Sequence, residues 1–324
     1  MLVGLAAEHA MLTVALAKQR HEETDANAED TAVHAAHVRL RPNGFSFFDS
    51  WRITMSKASS FRQLHDNSTP LRLPNAWDAG SARLVESLGA TAVATTSAGF
   101  AWALGYQDGR RLPVDEVVGS VRRILRVVSV PLSVDIENGY SDDPQAVADH
   151  VMRLVELGIA GINIEDGPDA PSMLAAKIEA IRDAVSKAGA DLFINARSDV
   201  VLANLVDKPK QADESIARGK RYASAGADGL FLPALADPAD IMKIVGAISV
   251  PLNVMALPGL ADAETLGRLG VRRLSAGGAI SQVVFGTVQE LAKNFLQSGR
   301  SDAIVANALP YSTIQRLFDV TSKT

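Results

Sequence analysis

The 324 residues contain no cysteine. That excludes disulfides, thiolate nucleophiles and cysteine-ligated zinc together, and it suits a cytoplasmic protein. Histidine is scarce where it would matter. Four of the six (His9, His21, His34 and His37) fall in the first 40 residues, leaving His65 ahead of the first predicted strand and His150 in a predicted helix. A histidine-built zinc site of the hydrolytic kind is therefore not expected. No apolar run reaches the roughly 18 uncharged residues that a membrane helix requires. Residues 1–17 begin without basic residues and contain Glu8 and His9, which does not fit a signal peptide. The net charge of -5 offers no basic footprint for nucleic acid. What remains is a protein of ordinary composition that suits the cytoplasm, with no membrane or nucleic-acid partner expected.

From Leu71 onward a rhythm of short apolar strand, loop and helix recurs about every 25–30 residues. Strands are predicted at Leu71–Asn75, Ala92–Thr96, Leu132–Asp135, Gly161–Glu165, Leu192–Ala196, Gly229–Leu232, Leu252–Met255 and Arg273–Ser275. Helices between them stop at glycines, as in Leu157-Gly158, Ala225-Gly226 and Leu269-Gly270. Eight such units in series predict an α/β fold of the (β/α)8 TIM-barrel type over residues 55–300. Pro74-Asn75-Ala76-Trp77-Asp78 is not the glycine-rich turn that a doubly wound fold places after its first strand. Residues 1–54 lack the rhythm and read as an N-terminal extension, either flexible or upstream of a natural start at Met55. Residues 301–324 form a C-terminal helical segment whose Ile304, Val305, Leu309, Ile314, Leu317 and Phe318 need an apolar surface, on this barrel or on a second subunit.

The predicted strand ends collect the chemistry. Asp135 and Glu137 leave the third strand at i and i+2, on one face by alternation, just before a glycine turn. Two converging acids repel unless a cation separates them or one holds a proton. A hard divalent ion is the first hypothesis, and oxygen donors favour Mg²⁺, with Mn²⁺ as the substitute. Glu165 ends the fourth strand, Arg197 follows the fifth, Asn253 lies on the seventh, and Asp108 sits in the loop beyond the second. Thr96-Ser97-Ala98-Gly99 reads as a turn whose backbone N–H groups at Ala98 and Gly99 could hold an enolate oxygen, while Arg197 could grip a carboxylate bidentately. Each has a plainer reading: Glu165-Asp166 as helix-start acids, Ser97 as a turn residue, Arg197 as a structural partner of Asp199. Their joint occurrence at strand ends favours chemistry. A Schiff-base aldolase would want a lysine at a strand end, and none is predicted there.

Leu73-Pro74-Asn75-Ala76-Trp77-Asp78, Thr95-Thr96-Ser97-Ala98-Gly99, Val134-Asp135-Ile136-Glu137-Asn138-Gly139-Tyr140, Ile164-Glu165-Asp166-Gly167 and Asn195-Ala196-Arg197-Ser198-Asp199 together resemble the isocitrate lyase/phosphoenolpyruvate mutase superfamily, most closely its short phosphonomutase-like branch. The resemblance covers about residues 60–300. It implies a modified (β/α)8 barrel whose C-terminal helix is swapped between subunits of a dimer or tetramer. It also implies Asp135 as direct Mg²⁺ ligand, Glu137 and Glu165 holding the ion through water, and Asp108 as the acid after the second strand. Ser97, Ala98 and Gly99 would bind the oxo acid and Arg197 the substrate carboxylate. Asn253 lies near the place of a family asparagine, about two residues out of register. The lyase branch's cysteine loop is missing, and Asp166-Gly167-Pro168-Asp169-Ala170-Pro171-Ser172-Met173 carries neither the lysine nor the asparagine of the mutase branch. The implied activity is a lyase or mutase-like reaction on a small 2-oxo acid, breaking or forming a C–C or P–C bond through a metal-bound enolate, with isocitrate cleavage disfavoured. A non-catalytic barrel that binds metal and oxo acid in a regulatory role is the other reading.

Overall fold

A computed structural model describes residues 56–306 and 308–319. The expectation for residues 1–54 lies outside the described residues. The described residues open with α1 (Lys57–Gln63), started by the Ser56 hydroxyl, which accepts from the Ser59 N–H. Strands β1 (Leu71–Leu73) and β2 (Asn75–Ala76) are two pieces of one predicted strand, separated by Pro74. Next come α2 (Ala79–Ser87), β3 (Val93–Thr95), α3 (Ser97–Ala103), α4 (Val114–Val127), β4 (Leu132–Asp135) and α5 (Pro144–Glu156). Then follow β5 (Gly161–Glu165), α6 (Pro171–Lys187), β6 (Phe193–Arg197), α7 (Gln211–Ala225) and β7 (Gly229–Leu232). The chain continues through α8 (Pro238–Val245), β8 (Leu252–Met255), α9 (Ala263–Arg268), β9 (Arg273–Ser275) and α10 (Ala279–Ser298) to the short α11 (Asp302–Val305) and α12 (Tyr311–Leu317).

All pairings are parallel, in the order β1-β9-β8-β7-β6-β5-β4-β3-β2. Pro74 has no N–H for a ladder, so the first strand changes partner there. Leu73 pairs with Ser275, and two residues on Asn75 pairs with Ala94. The first strand thereby closes the ring, giving the expected eight-stranded barrel. Asn75 reinforces the seam, its amide donating to Thr95 O and accepting from Gly277 N–H.

Outward-facing Leu132, Val134, Ile162, Ile164, Ile194, Leu230 and Val254 join the helices in the main core. Inside, the floor of the barrel is apolar: Phe61 of α1 plugs it against Leu71, Leu73, Ala92, Ala94 and Phe193. His65 stacks on Phe193 at 4.4 Å, and burial drives its pKa down to about 3, so it packs there as a neutral ring. Above the floor the lumen turns polar. Asn163, Asn195, Asn253, Arg273 and Ser275 are all nearly inaccessible and hydrogen-bonded to one another. Gly158, Gly226 and Gly270 adopt the left-handed φ of 89°, 109° and 93° that ends their helices as expected. No helix among the described residues is long and apolar enough to cross a membrane.

Candidate active site

β4 ends at Asp135, and the chain then turns sharply. Glu137, Gly139 and Tyr140 have φ of 50°, 91° and 62°. Two of these are non-glycine residues in the left-handed region, a conformation that must be held by its surroundings. The holding groups are identifiable. Asp135 Oδ1 accepts from Glu137 N–H at 3.1 Å, Asn138 Oδ1 accepts from Tyr140 N–H at 3.0 Å, and Glu137 O accepts from Glu165 N–H at 2.9 Å. The ammonium of Lys177, itself 1% exposed, donates to Asn138 O at 3.0 Å. Gly139 is required, since a Cβ there would stand 2.5 Å from Val147 Cγ1. Strand alternation therefore does not place Glu137, contrary to the expectation from spacing: it leaves the strand and reaches the site through a turn.

The acids meet in a confined volume. Asp135 is 8% exposed and Glu137 3%, and Glu137 Oε1 is buried without a hydrogen-bond partner. Glu137 Oε2 accepts the backbone N–H of Arg110. Burial pushes the Asp135 pKa up, with Asp108 adding repulsion, while Arg197 and the Asn163 side chain oppose the shift. Glu137 is raised to about 6, chiefly by burial and then by Asp108 and Asp135. Glu165 is raised to about 8, by burial first and by its neighbours Asp135, Asp199 and Glu137, against the pull of Arg197. Asp108 itself stands exposed at the rim and acts on the buried acids from there. More negative charge faces this volume than its own cations neutralise.

Thr96 begins a helix here, not the turn expected. Ser97, Ala98 and Gly99 are the first three residues of α3, whose N-cap Thr96 makes no side-chain capping bond. Their N–H groups are therefore the unpaired donors of a helix start. Gly99 lets the turn pack closely, since a Cβ would meet Thr96 Cγ2 and Trp77 Cβ at 2.7 Å each. At seven residues, with Gly99 third in the run, the segment was too short to show a helical period.

Arg197 ends β6 and is already engaged on both sides. Its Nε and Nη2 donate to Asp199 at 2.7 and 3.0 Å, and Nη1 lies 2.7 Å from Glu165 Oε2. Burial alone would lower its pKa, but Glu165 and Asp199 more than offset that and keep it charged. Asp199 thus sets the guanidinium's plane, and its Glu165 edge is the side a ligand would share. Asn253 does not join this group by any hydrogen bond. Its amide is taken up inside the barrel, accepting from Asn195 and donating to Val254 O, Arg273 O and Ser275 Oγ. These bonds hold Asn253 in the polar lumen below the acids, where it braces β6, β8 and β9. Asp166 is a strut too: its carboxylate accepts from Ser198 Oγ, Asp199 N–H, Arg218 Nη1 and Tyr222 Oη at 2.7, 2.9, 2.8 and 2.6 Å. Asp78 caps α2 through Ser81.

Two contributors, Lys177 and Arg110, were not read from the sequence as part of the site, and a third, Tyr140, was seen only within its motif. Lys177 lies on α6, where a lysine in a helix carries no signal of burial. Arg110 follows a glycine in a polar loop. The Tyr140 hydroxyl is buried without a partner, and its pKa is raised by burial and by all four acids, Glu137, Asp135, Glu165 and Asp108.

Parallel strands closed into a ring, helices outside, and charged groups gathered at the carboxyl ends of β3 to β6 define a (β/α)8-barrel enzyme. The family model described as phosphoenolpyruvate phosphomutase matches residues 61–296, and the chain belongs to that family, within the isocitrate lyase/phosphoenolpyruvate mutase superfamily. It is an enzyme of this lyase and mutase group. An uncharacterised protein of Mycobacterium tuberculosis is 36% identical over 270 residues, 82% of this chain and 98% of its own. An oxaloacetate decarboxylase of Pseudomonas entomophila is 28% identical over 79% of this chain and 91% of its own. The crystal structure of a candidate phosphonomutase from Burkholderia cenocepacia J2315 superposes with a TM-score of 0.70 at 38% identity, covering 73% of this chain and 99% of that one.

Proposed function

We propose that the protein is a Mg²⁺-dependent cytoplasmic enzyme that cleaves or forms a C–C bond, or a P–C bond, of a small 2-oxo acid by way of its enolate. The observation that carries this reading is the crowding of acids at the end of β4: buried Asp135 and Glu137 and half-buried Glu165, all with raised pKa values, and Glu137 Oε1 unpaired. A divalent cation resolves both. Among the described residues no group of three or more His, Asp or Glu side chains is placed to hold an ion by itself. The reading therefore asks for one direct carboxylate, with water and substrate filling the other positions around Mg²⁺. Asp135 would be the direct ligand, with Glu137 and Glu165 holding bound waters and Asp108 adding charge at the rim. Mg²⁺, or Mn²⁺ in its place, supplies Lewis acidity toward the oxo carboxylate.

The chain's own groups do the rest. Arg197 takes the C1 carboxylate along its Glu165 edge, while Asp199 keeps the fork in plane. The N–H groups of Ser97, Ala98 and Gly99 and the Ser97 hydroxyl face the oxo oxygen as it gains charge. No cysteine acid is available to protonate a departing fragment. Decarboxylation needs none: the C3–C4 bond breaks, its electrons form the enolate, CO₂ leaves, and C3 later takes a proton from water. The oxaloacetate decarboxylase among the relatives supports this choice. Assaying oxaloacetate, phosphonopyruvate and C4-substituted malates with Mg²⁺ and with chelator should show metal-dependent turnover, largest for oxaloacetate. Chelator-insensitive turnover overturns the metal reading. Oxalate binding without turnover of any panel member would favour a regulatory binding barrel.

We propose further that the enzyme works as a homo-oligomer, a dimer or tetramer. α10 runs 20 residues with Ser281 its one buried residue, and leaves Val283, Phe285, Val288, Phe295 and Leu296 exposed by 68, 49, 57, 47 and 85%. Trp102 and Phe285, edge to face at 6.0 Å, border an open groove of about 750 Å³ beside it. A monomer would leave this stripe in water. α12 turns back to α2, where Arg83 Nε donates to Leu317 O at 2.6 Å, yet Leu309, Tyr311 and Phe318 stay exposed. Exchange of α10 between subunits would cover the stripe. Light scattering should return a multiple of the chain mass, and a single-chain mass overturns the proposal.

A further inference from the structure

Arg110 holds two positions at once. Its backbone N–H binds Glu137 Oε2, with the residue in the left-handed region at φ 65°. Its guanidinium reaches Asp169 at 2.8 Å, in the loop between β5 and α6. β4 lies between β3 and β5 in the barrel, so a side chain from the loop after β3 that reaches the loop after β5 passes across the end of β4. That end carries Asp135 and Glu137, and the charge of Arg110 is felt at Glu137, where it favours the ionised form. Gly167, at φ 52°, lies beside the crossing: a Cβ there would touch Arg110 Nη2 at 3.5 Å, an ordinary contact. Unlike Arg197, which is 18% exposed and paired with two acids, Arg110 is 37% exposed and its partner Asp169 34%.

A solvent-screened ion pair at a cavity rim contributes little to stability. It can therefore be exchanged at low cost for an anion brought by a ligand. The segment 166–173, which lacks the reaction-selecting lysine, asparagine or cysteine, offers an acid at this place, and that acid is already bound to Arg110. We propose that Arg110 is the specificity residue that reads the second anionic group of the substrate, with Asp169 occupying its guanidinium until that group arrives. The inference rests on the oxo-acid reading of the site. The distal carboxylate or phosphonate of a 2-oxo dianion displaces Asp169, while Arg197 keeps the C1 carboxylate. A substrate without a distal anion leaves the Arg110–Asp169 pair intact and gains nothing from it.

Calorimetric titration in Mg²⁺ separates the terms, using oxalate, which has no distal group, and 3,3-difluorooxaloacetate, which has one. Arg110→Gln keeps the backbone N–H to Glu137 and should leave oxalate affinity within about threefold of the unaltered protein. It should weaken difluorooxaloacetate by about 10- to 100-fold, the range for losing one charge-assisted pair. Asp169→Asn removes the competitor and should tighten difluorooxaloacetate several-fold without changing oxalate. Equal loss for both ligands in Arg110→Gln would show that the residue only holds Glu137, and no loss for either would show that it is idle. Both overturn the proposal. Failure of oxalate to bind the unaltered protein with Mg²⁺ overturns the oxo-acid reading itself, and this inference with it.

Discussion

Asp135→Asn is expected to lower kcat/KM by about 10³-fold or more, the loss of several kcal/mol of charge stabilisation at the reacting oxygen. It should also abolish the rise in Tm that Mg²⁺ gives the unaltered protein. The metal-free variant should be at least as stable as the parent, because burial and Asp108 oppose ionisation of Asp135. The neutral amide fits the same space and relieves repulsion on Glu137 and Glu165. A purely structural carboxylate would behave in the opposite way, its loss lowering Tm. Proton linkage gives a second reading of the same site. Glu137 and Glu165 rise from 4.5 to about 6 and about 8 in the folded protein. Between about pH 4.5 and 8 the metal-free fold therefore binds more protons than the unfolded chain, and stability falls as pH rises through that window. A cation at Asp135 would expel those protons, so the Tm gain from Mg²⁺ should grow from pH 6 to pH 8. A gain independent of pH, or one retained in Asp135→Asn, places the ion elsewhere.

The barrel was legible because its outer surface is repetitive. Apolar runs at Leu132–Asp135, Gly161–Glu165, Gly229–Leu232, Leu252–Met255 and Arg273–Ser275 match the observed strands, since each must pack against a helix on its outer side. What failed to show were elements decided by tertiary contact. α1 is short, and Phe61 is fixed by the floor it plugs. α3 begins at Ser97 in a run of small residues. The division of the first strand at Pro74 follows from ring closure, which no local pattern contains. In the candidate site, residue types pointed to strand ends that the fold brings together but not to how each side chain is held. Asp135, Glu137 and Glu165 do gather, yet Glu137 arrives by a left-handed turn held by Lys177, and a helical lysine gives no hint of that. Asn253 and Asp166 had the same polar character as the site residues, but the polar lumen and α7 claimed their hydrogen bonds. A polar residue near a strand end can serve either use, and only the identity of its partners distinguishes them.

Arg197 serves both uses, and its variants should separate them. Arg197→Ala leaves Glu165 and Asp199 without their cation in a site where Arg197 is 18% exposed and Glu165 17%. Breaking a pair this buried costs about 3–5 kcal/mol, or roughly 6–20 °C in Tm for a domain of this size. The cost should be smaller at pH 6 than at pH 8.5, because Glu165, already at about 8 beside the guanidinium, would then take up a proton in place of the lost ion pair. Arg197→Lys retains a cation for one acid and should recover most of the Tm. It cannot span Asp199 and a substrate carboxylate with one planar fork, so kcat/KM should stay about 10²-fold or more below the parent, the loss appearing mainly in KM. A lysine variant that recovers both stability and turnover would make Arg197 a strut between two acids and nothing more. One that recovers stability alone leaves the Glu165 edge of the guanidinium as the place where the substrate's carboxylate is held.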